Sequence, residues 1–137
     1  MTIPYMDIQS LGKRIGERVL FWDISFTLNE REHVGLIAKN GTGKSTLLSI
    51  IAGLEGYDAG TIIFRNDLKI GYLEQSPHFN ADSSILEAVT GTTAMHNEET
   101  LLKAKQVLTK LKITDTDERI SHLSGGQTKR VALAKIL

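Results

Sequence analysis

The 137-residue sequence lacks cysteine, and it has only two prolines, one tryptophan and no excess of charge of either sign. Without cysteine there is no disulfide framework and no thiolate metal site, and this composition is compatible with the cytoplasm, where we expect the protein. No apolar run approaches the roughly 18 residues that a membrane-spanning helix needs, and the first residues lack the features of a signal peptide. The balanced charge excludes a strong overall attraction to nucleic acid or membranes, so either partner would require a local patch.

The order of apolar segments predicts an α/β protein in two parts, residues 1–79 and residues 80–137. The apolar content of 41% is enough for a core without cross-links. In the first part the patterning predicts one bent strand or two short strands over residues 18–28 and a buried strand over 33–38. It then predicts a helix over 44–53 that stops at Gly53, and a hairpin formed by 61–64 and 68–73. In the second part it predicts a short helix capped by Ser84 and Glu87, a helix over 98–112, and a helix that follows Ser124.

A glycine-rich loop joins the predicted buried strand to the predicted helix. Residues 38–45 read AKNGTGKS, which follows the P-loop pattern of glycine, four residues, glycine, lysine, and serine or threonine. Backbone N–H groups can converge on phosphate oxygens where Gly41 and Gly43 leave the backbone uncrowded, and the helix directs its positive N-terminus at the anion. Lys44 would then contact the β- and γ-phosphates, and Ser45 would bind Mg²⁺.

The loop departs from the pattern at Ala38, where the pattern has glycine. Alanine fits if this residue keeps a negative φ, so we expect a small cost and no loss of function. The structural alternative is a glycine-rich turn between strand and helix whose N–H groups are capped by solvent. The order of strand, loop, Lys-Ser and helix favours phosphate binding.

A second short motif, LSGGQ, occupies residues 123–127 and precedes the segment TKRVALAKIL. This segment predicts an apolar helix face formed by Val131, Ala134 and Leu137. Ser124 and Gln127 have capping-box spacing, so the motif alone also has a purely structural interpretation as a helix start. Its occurrence in the same chain as the P-loop favours a functional interpretation.

Together the motifs resemble the ATP-binding-cassette (ABC) ATPases. AKNGTGKS is similar to their Walker A motif, LSGGQ to their signature, and Gln75 in YLEQ to the glutamine of their Q-loop. The resemblance implies a P-loop NTPase fold of the ABC type, with an antiparallel β part, a P-loop strand and helix, and a helical signature subdomain. It implies ATP and Mg²⁺ as ligands, Lys44 and Gln75 as catalytic residues, and Ser45 and Gln75 at the metal. The implied nucleotide-binding residues are Ile15, Asn40, Gly41, Thr42, Gly43, Lys44, Ser45, Thr46, Ser124, Gly125, Gly126 and Gln127.

The resemblance also implies a partner cassette. In this family two cassettes, in one chain or in a dimer, close around two ATP molecules, so that the signature of one meets the γ-phosphate on the Walker A of the other. Gln75 follows Lys44 by only 31 positions, and this short spacing resembles the ABC-F proteins, Uup-type members in particular. ABC-F proteins are soluble tandem-cassette ATPases that act on ribosomes, so the ribosome and its RNA are implied partners. A membrane transporter subunit and a non-catalytic nucleotide-binding module remain alternatives.

Several features depart from the family pattern. Ile15 stands where the family stacks adenine on an aromatic, and it gives contact area without π stacking, while Phe21 and Trp22 nearby are expected in the core. Residues 90–97 leave no room for the helical arm of ABC-F proteins, so either this protein lacks the arm or residues are absent from this chain. The Walker B strand, the catalytic glutamate and the switch histidine would follow Leu137, so we expect a truncated first cassette without ATP turnover of its own. Surface or hydrogen-bonded structural roles are expected for His33, His78, His96 and His122.

Overall fold

The computed structural model describes residues 3–91 and 97–137, which form two compact units, Met1–Ile70 and Gly71–Leu137. The predicted boundary between residues 79 and 80 lies inside the second unit and stays a prediction. His96 and most of residues 90–97, where the arm of ABC-F proteins would lie, are outside the described residues. Within the two described ranges, every helix is too short or too polar to cross a membrane.

A three-stranded antiparallel sheet is the frame of the first unit. Its strands are β1 (Met6–Ile15), β2 (Arg18–Leu28) and β3 (Ala59–Phe64), in the order β2–β1–β3. β2 is one bent strand, which confirms one of the two predicted possibilities. Its register with β1 shifts beside Ser10 and Asp23, whose φ angles are 48° and 57°. Such bulges add a residue to one strand and bend it.

The helix α1 (Lys44–Ile51) packs on this sheet. Its buried side chains, together with those of β1, form the core of the unit, which consists of Met6, Ile8, Leu11, Leu47 and Ile50. Leu48 of the same helix is 48% exposed, so the buried face of α1 is formed by Leu47 and Ile50. The helix stop at Gly53 is confirmed: Gly53 has φ 75°, and the N–H groups of Gly53 and Leu54 donate to the carbonyls of Ile50 and Ser49. This is the bonding of a Schellman motif.

Two predicted strands do not form in the described part of the chain. Residues 33–38 are exposed, with Ile37 95% exposed, and the sheet formed by β1, β2 and β3 offers them no pairing partner. An extended segment becomes a strand only when a neighbour satisfies its N–H and C=O groups. Residues 68–73 do not pair with β3, whose partner is β1. The turn predicted between these segments is confirmed, since Leu68 N–H donates to the Arg65 carbonyl.

The aromatic pair Phe21 and Trp22 divides between the two faces of β2. Phe21 packs against the core, as predicted. Trp22 does not, because successive side chains of a strand point to opposite faces. It is 48% exposed, and the Arg14 guanidinium lies 4.8 Å from the centroid of its ring.

One carboxylate of the sheet has a perturbed pKa. The Thr27 hydroxyl and the Gln9 amide each donate to a carboxylate oxygen of Asp7 at 2.6 Å, and these bonds, that from Thr27 first, hold the pKa of Asp7 below its ordinary value. Thr27 is the cross-strand partner of Asp7 in the register of β1 and β2. The bonds therefore favour the folded state above the ordinary pKa of an aspartate, and this contribution is lost as the pH falls through the lowered pKa.

The second unit is helical. It contains α2 (Ile85–Thr90), α3 (Glu98–Lys110), a 3₁₀ turn (Ile120–His122) and α4 (Gly125–Ile136). Its core consists of Ile85, Leu108, Ile113, Ile120, Val131 and Ala134. On the exposed face of α3, Glu99 and Lys103 form an ion pair of 2.7 Å. Of the three residues predicted to form an apolar face of α4, Val131 and Ala134 are buried, whereas Leu137 is 75% exposed.

Gly60 in β3 provides a test of the sheet geometry. Its φ is 89°, and an added Cβ would lie 2.5 Å from the backbone oxygens of Gln9 and Ser10. We expect Gly60→Ala to lower the free energy of unfolding by at least about 2 kcal/mol, because both the backbone conformation and the clash are unfavourable. Denaturation in urea measures the change.

Gly56→Ala is the matched control. Its added Cβ meets no atom within 4 Å, and its φ is outside the left-handed region. We expect a change within about 0.5 kcal/mol. Equal losses in the two variants would contradict the assigned strain at Gly60.

Candidate functional site

The carbonyl oxygens of the P-loop are held by side-chain donors. The Lys44 ammonium donates to the carbonyls of Ala38 at 2.6 Å and Lys39 at 2.9 Å. The Thr42 hydroxyl donates to the Lys39 carbonyl at 2.6 Å. In a trans peptide the C=O and the following N–H point in opposite directions. Holding these carbonyls therefore turns the N–H groups of Lys39 and Asn40 away from the side-chain donors.

The backbone of the loop requires its two inner glycines. Gly43 has φ 99° and ψ 17°, and a Cβ there would lie 3.1 Å from Phe21 Cδ1 and 3.4 Å from Leu20 Cβ. Gly41 has φ 78°. Ala38 is not among the residues with positive φ, so the condition under which alanine fits this position is met.

The N-terminus of α1 differs from those of the other described α-helices. Gly43 supplies no side-chain cap, and the first helical bond is donated by Leu47 N–H to the Gly43 carbonyl at 2.9 Å. The N–H groups of the first turn therefore have no cap from a side chain, and they belong to Lys44, Ser45 and Thr46. Side-chain caps are present on the other three α-helices, from Ser84, Asn97 and Ser124. The uncapped donors of α1 suit an external anion.

The end of the β1–β2 hairpin adds a contact that sequence reasoning missed. Arg18 Nη2 donates to the Gly41 carbonyl at 3.0 Å. Ile15, the residue predicted to contact adenine, pairs with Arg18 in the sheet register and is 57% exposed. No sequence signal distinguishes Arg18 from other surface arginines, because its contact depends on how the hairpin meets the loop.

Gln75 lies in the second unit, exposed in a bend of the chain. It does not follow a strand, since residues 68–75 form no ladder with β3. Its predicted roles at Mg²⁺ and in catalysis stay predictions, as does the metal role of Ser45. The described ranges hold no group of three or more histidine or acidic side chains suited to a metal ion.

The LSGGQ segment is a capped helix start. Ser124 Oγ accepts from Gln127 N–H at 3.3 Å, and Gln127 Oε1 accepts from Ser124 N–H at 2.9 Å, which confirms the predicted capping box. Added Cβ atoms at Gly125 and Gly126 meet nothing within 4 Å. The Ser124 hydroxyl uses only a lone pair in the cap, so its proton is available to an outside acceptor.

A second capping box in the same unit gives a comparison. Ser84 and Glu87 cap α2 with bonds of 2.9 and 3.2 Å, nearly the geometry of Ser124 and Gln127 at α4. Glu87 places a carboxylate at the N-terminus of α2, whereas Gln127 caps α4 without a charge. The start of α4 thus keeps the positive end of its dipole unneutralised.

The described histidines are surface residues. His33, His78 and His122 are all exposed. Their exposure agrees with the expected structural or surface role.

The comparisons with known proteins agree with the motifs. Residues 21–137 match the family described as ABC transporter. YfmR of Bacillus subtilis, an uncharacterized ABC transporter ATP-binding protein, is 36% identical over 94% of this chain and 27% of its own length. The energy-dependent translational throttle protein EttA of Escherichia coli is 33% identical over 96% of this chain and 24% of its length. The sulfate/thiosulfate import ATP-binding protein CysA of Vibrio cholerae is 31% identical over 95% of this chain and 39% of its own length.

Solved structures share the fold. The ATP-binding cassette MJ0796, a dimer with ADP and phosphate in a post-hydrolysis state, has a TM-score of 0.81 and 27% identity, covering 96% of this chain and 68% of its own. A nucleotide-free cassette of an ABC transporter has a TM-score of 0.79 at 23% identity, and the match covers 98% of this chain and 64% of that cassette's chain. The chain spans about a quarter of the length of the first curated relatives it matches. With a P-loop NTPase fold and a family match over residues 21–137, this chain belongs to the ABC family of ATP-binding cassettes.

Proposed function

We propose that this chain binds MgATP through its P-loop and works in an ATPase of the ABC-F type that acts on the ribosome. The observation that carries the nucleotide binding is the uncapped N-terminus of α1, combined with a loop whose carbonyls are already held by Lys44, Thr42 and Arg18. Donors fixed before the ligand arrives lose little freedom on binding, so they favour a phosphate chain.

In this proposal different residues contact the phosphates, the Mg²⁺ and the adenine. The N–H groups from Asn40 to Thr46 face the phosphates, and Lys44 adds a positive charge at the β- and γ-phosphates. Mg²⁺, when bound, would neutralise negative charge on the phosphate oxygens. The Ser45 hydroxyl and the Gln75 side-chain oxygen are suitable oxygen ligands for it. Ile15 supplies apolar contact to the adenine.

The signature segment serves the nucleotide of a second cassette. Gly125 and Gly126 leave their N–H groups open, Ser124 adds a hydroxyl donor, and Gln127 caps the helix without a negative charge. These features suit the γ-phosphate of an opposing P-loop. The dimeric arrangement of MJ0796 supports a partner cassette.

The choice of a ribosomal role rests on two observations. The translational throttle protein EttA and the ATP-binding protein Uup of Buchnera aphidicola are similar to this chain over nearly its entire length, at 33% and 31% identity. The 31 positions from Lys44 to Gln75 are also too few for the longer insert of transporter cassettes. The similarity to CysA supports the transporter alternative, in which the same cassette would supply energy to a membrane subunit.

Lys44 provides the test of nucleotide binding. We expect Lys44→Ala to weaken MgATP binding at least about tenfold, because a charged donor to phosphate is lost. Isothermal titration measures the affinity, and thermal unfolding confirms that the variant is folded. Lys39→Ala removes the same charge from the same loop and should change the affinity only about twofold, since its ammonium makes no contact in the loop. Equal affinity of the Lys44→Ala variant and the unaltered chain would reject the assignment.

The two capping boxes allow a reciprocal test of the signature. We expect Gln127→Glu to keep the cap and the folding stability of α4, yet to impair MgATP-driven closure of the two cassettes, because the new carboxylate repels the γ-phosphate. Closure is measured as energy transfer between labelled cassettes in the protein that carries them. Glu87→Gln, the opposite exchange at α2, should leave closure unchanged. Normal closure in Gln127→Glu would argue against a phosphate contact at this helix start.

The ribosomal role has its own test. We expect the protein that carries this cassette to sediment with ribosomes when a slowly hydrolysed ATP analogue and Mg²⁺ are present, and Lys44→Ala to reduce the bound fraction several-fold, because closure around nucleotide depends on the loop. Association with membrane vesicles in place of ribosomes would instead support the transporter alternative.

A further inference from the structure

We propose that Arg18 is a positioning residue of the phosphate site, which holds the Gly41 carbonyl so that the N–H of Thr42 faces the nucleotide. The inference deepens the proposed nucleotide binding and rests on it. Arg18 opens β2, and its Nη2 donates to the Gly41 carbonyl at 3.0 Å. Both residues belong to the first compact unit.

The peptide between Gly41 and Thr42 begins at a residue that has no side chain to hold it. No atom lies within 4 Å of the position of an added Cβ at Gly41, so nothing packs against the residue at that point. Gly41 has φ 78° and no side chain, so its backbone has more freedom than that of any other residue type. A charged donor on its carbonyl therefore selects one orientation of the peptide.

The orientation matters because of the geometry of the peptide group. The C=O of Gly41 and the N–H of Thr42 point in opposite directions. With the carbonyl held on the Arg18 side, the Thr42 N–H faces the other side. The carbonyls of Ala38 and Lys39 are held in the same way by Lys44 and Thr42. Arg18 completes this set from outside the loop.

Arg14 on the same hairpin is the natural comparison. Its guanidinium stacks on the Trp22 ring, 4.8 Å from the centroid, and its backbone N–H donates to Asp58. It carries the same charge as Arg18, but its contacts are outside the phosphate loop. A general electrostatic attraction to phosphate would affect the two arginines alike, whereas positioning concerns Arg18 alone.

The experiment compares three variants, Arg18→Met, Arg18→Lys and Arg14→Met, using MgADP as the probe. We expect Arg18→Met to weaken MgADP binding about fivefold, since one charge-assisted bond at an exposed position is lost. Arg18→Lys keeps a cationic donor for this single bond and should restore the affinity to within about twofold of the unaltered chain, as should Arg14→Met. Isothermal titration measures all three.

A second readout does not depend on nucleotide. In the unliganded protein, Arg18→Met should shift the amide resonance of Thr42 in a ¹H–¹⁵N spectrum, and Arg14→Met should leave it in place. An unchanged Thr42 resonance in Arg18→Met, or equal losses of affinity in Arg18→Met and Arg14→Met, overturns the inference. If the unaltered chain does not bind MgADP, the proposed function fails, while the Thr42 resonance still decides whether Arg18 orients the peptide.

Discussion

The left-handed backbone of Gly43 is the constraint on which the phosphate loop depends. With φ 99°, it turns the chain from the loop into α1, and no other residue type does this without strain and without meeting Phe21. Because the cap is a glycine, the first turn of α1 keeps its N–H groups free of side-chain acceptors. The same turn directs Leu47 and Ile50 into the core against β1. The conformation of Gly43 therefore affects both the packing of α1 against the core and the free N–H groups at its N-terminus.

The loop is ordered by donors to its carbonyls. Lys44, Thr42 and Arg18 together hold three carbonyls, those of Ala38, Lys39 and Gly41. A ligand that met a disordered loop would have to order it, and this cost would reduce the affinity. Arg18 is the first residue of β2, so the sheet also holds the loop in place. Arg18 lies outside the P-loop sequence pattern, which covers residues 38–45.

The two capping boxes show why a motif's structure and its function need separate arguments. Ser84 with Glu87 and Ser124 with Gln127 have nearly the same bonds. Geometry alone therefore does not distinguish a helix start from an anion site. The two caps differ in the charge at the third helical position, because glutamate opposes the positive end of the helix dipole and glutamine does not. Among the helices of residues 3–91 and 97–137, only α4 begins with both an uncharged capping box and two glycines.

Local features were determined by the sequence itself: the helix stop at Gly53, both capping boxes, the turn at residues 65–68 and the glycine-dependent phosphate loop. Each depends on residues within about one turn of one another, so the bonds that define it are encoded nearby. Features that need a distant partner were decided only by the tertiary structure. Residues 33–38 have strand-like composition but no pairing strand, and β3 pairs with β1 and not with the segment that follows it. Arg18 likewise meets Gly41 because a hairpin places it there, and a hydrogen bond between residues so far apart in the chain has no local pattern to reveal it.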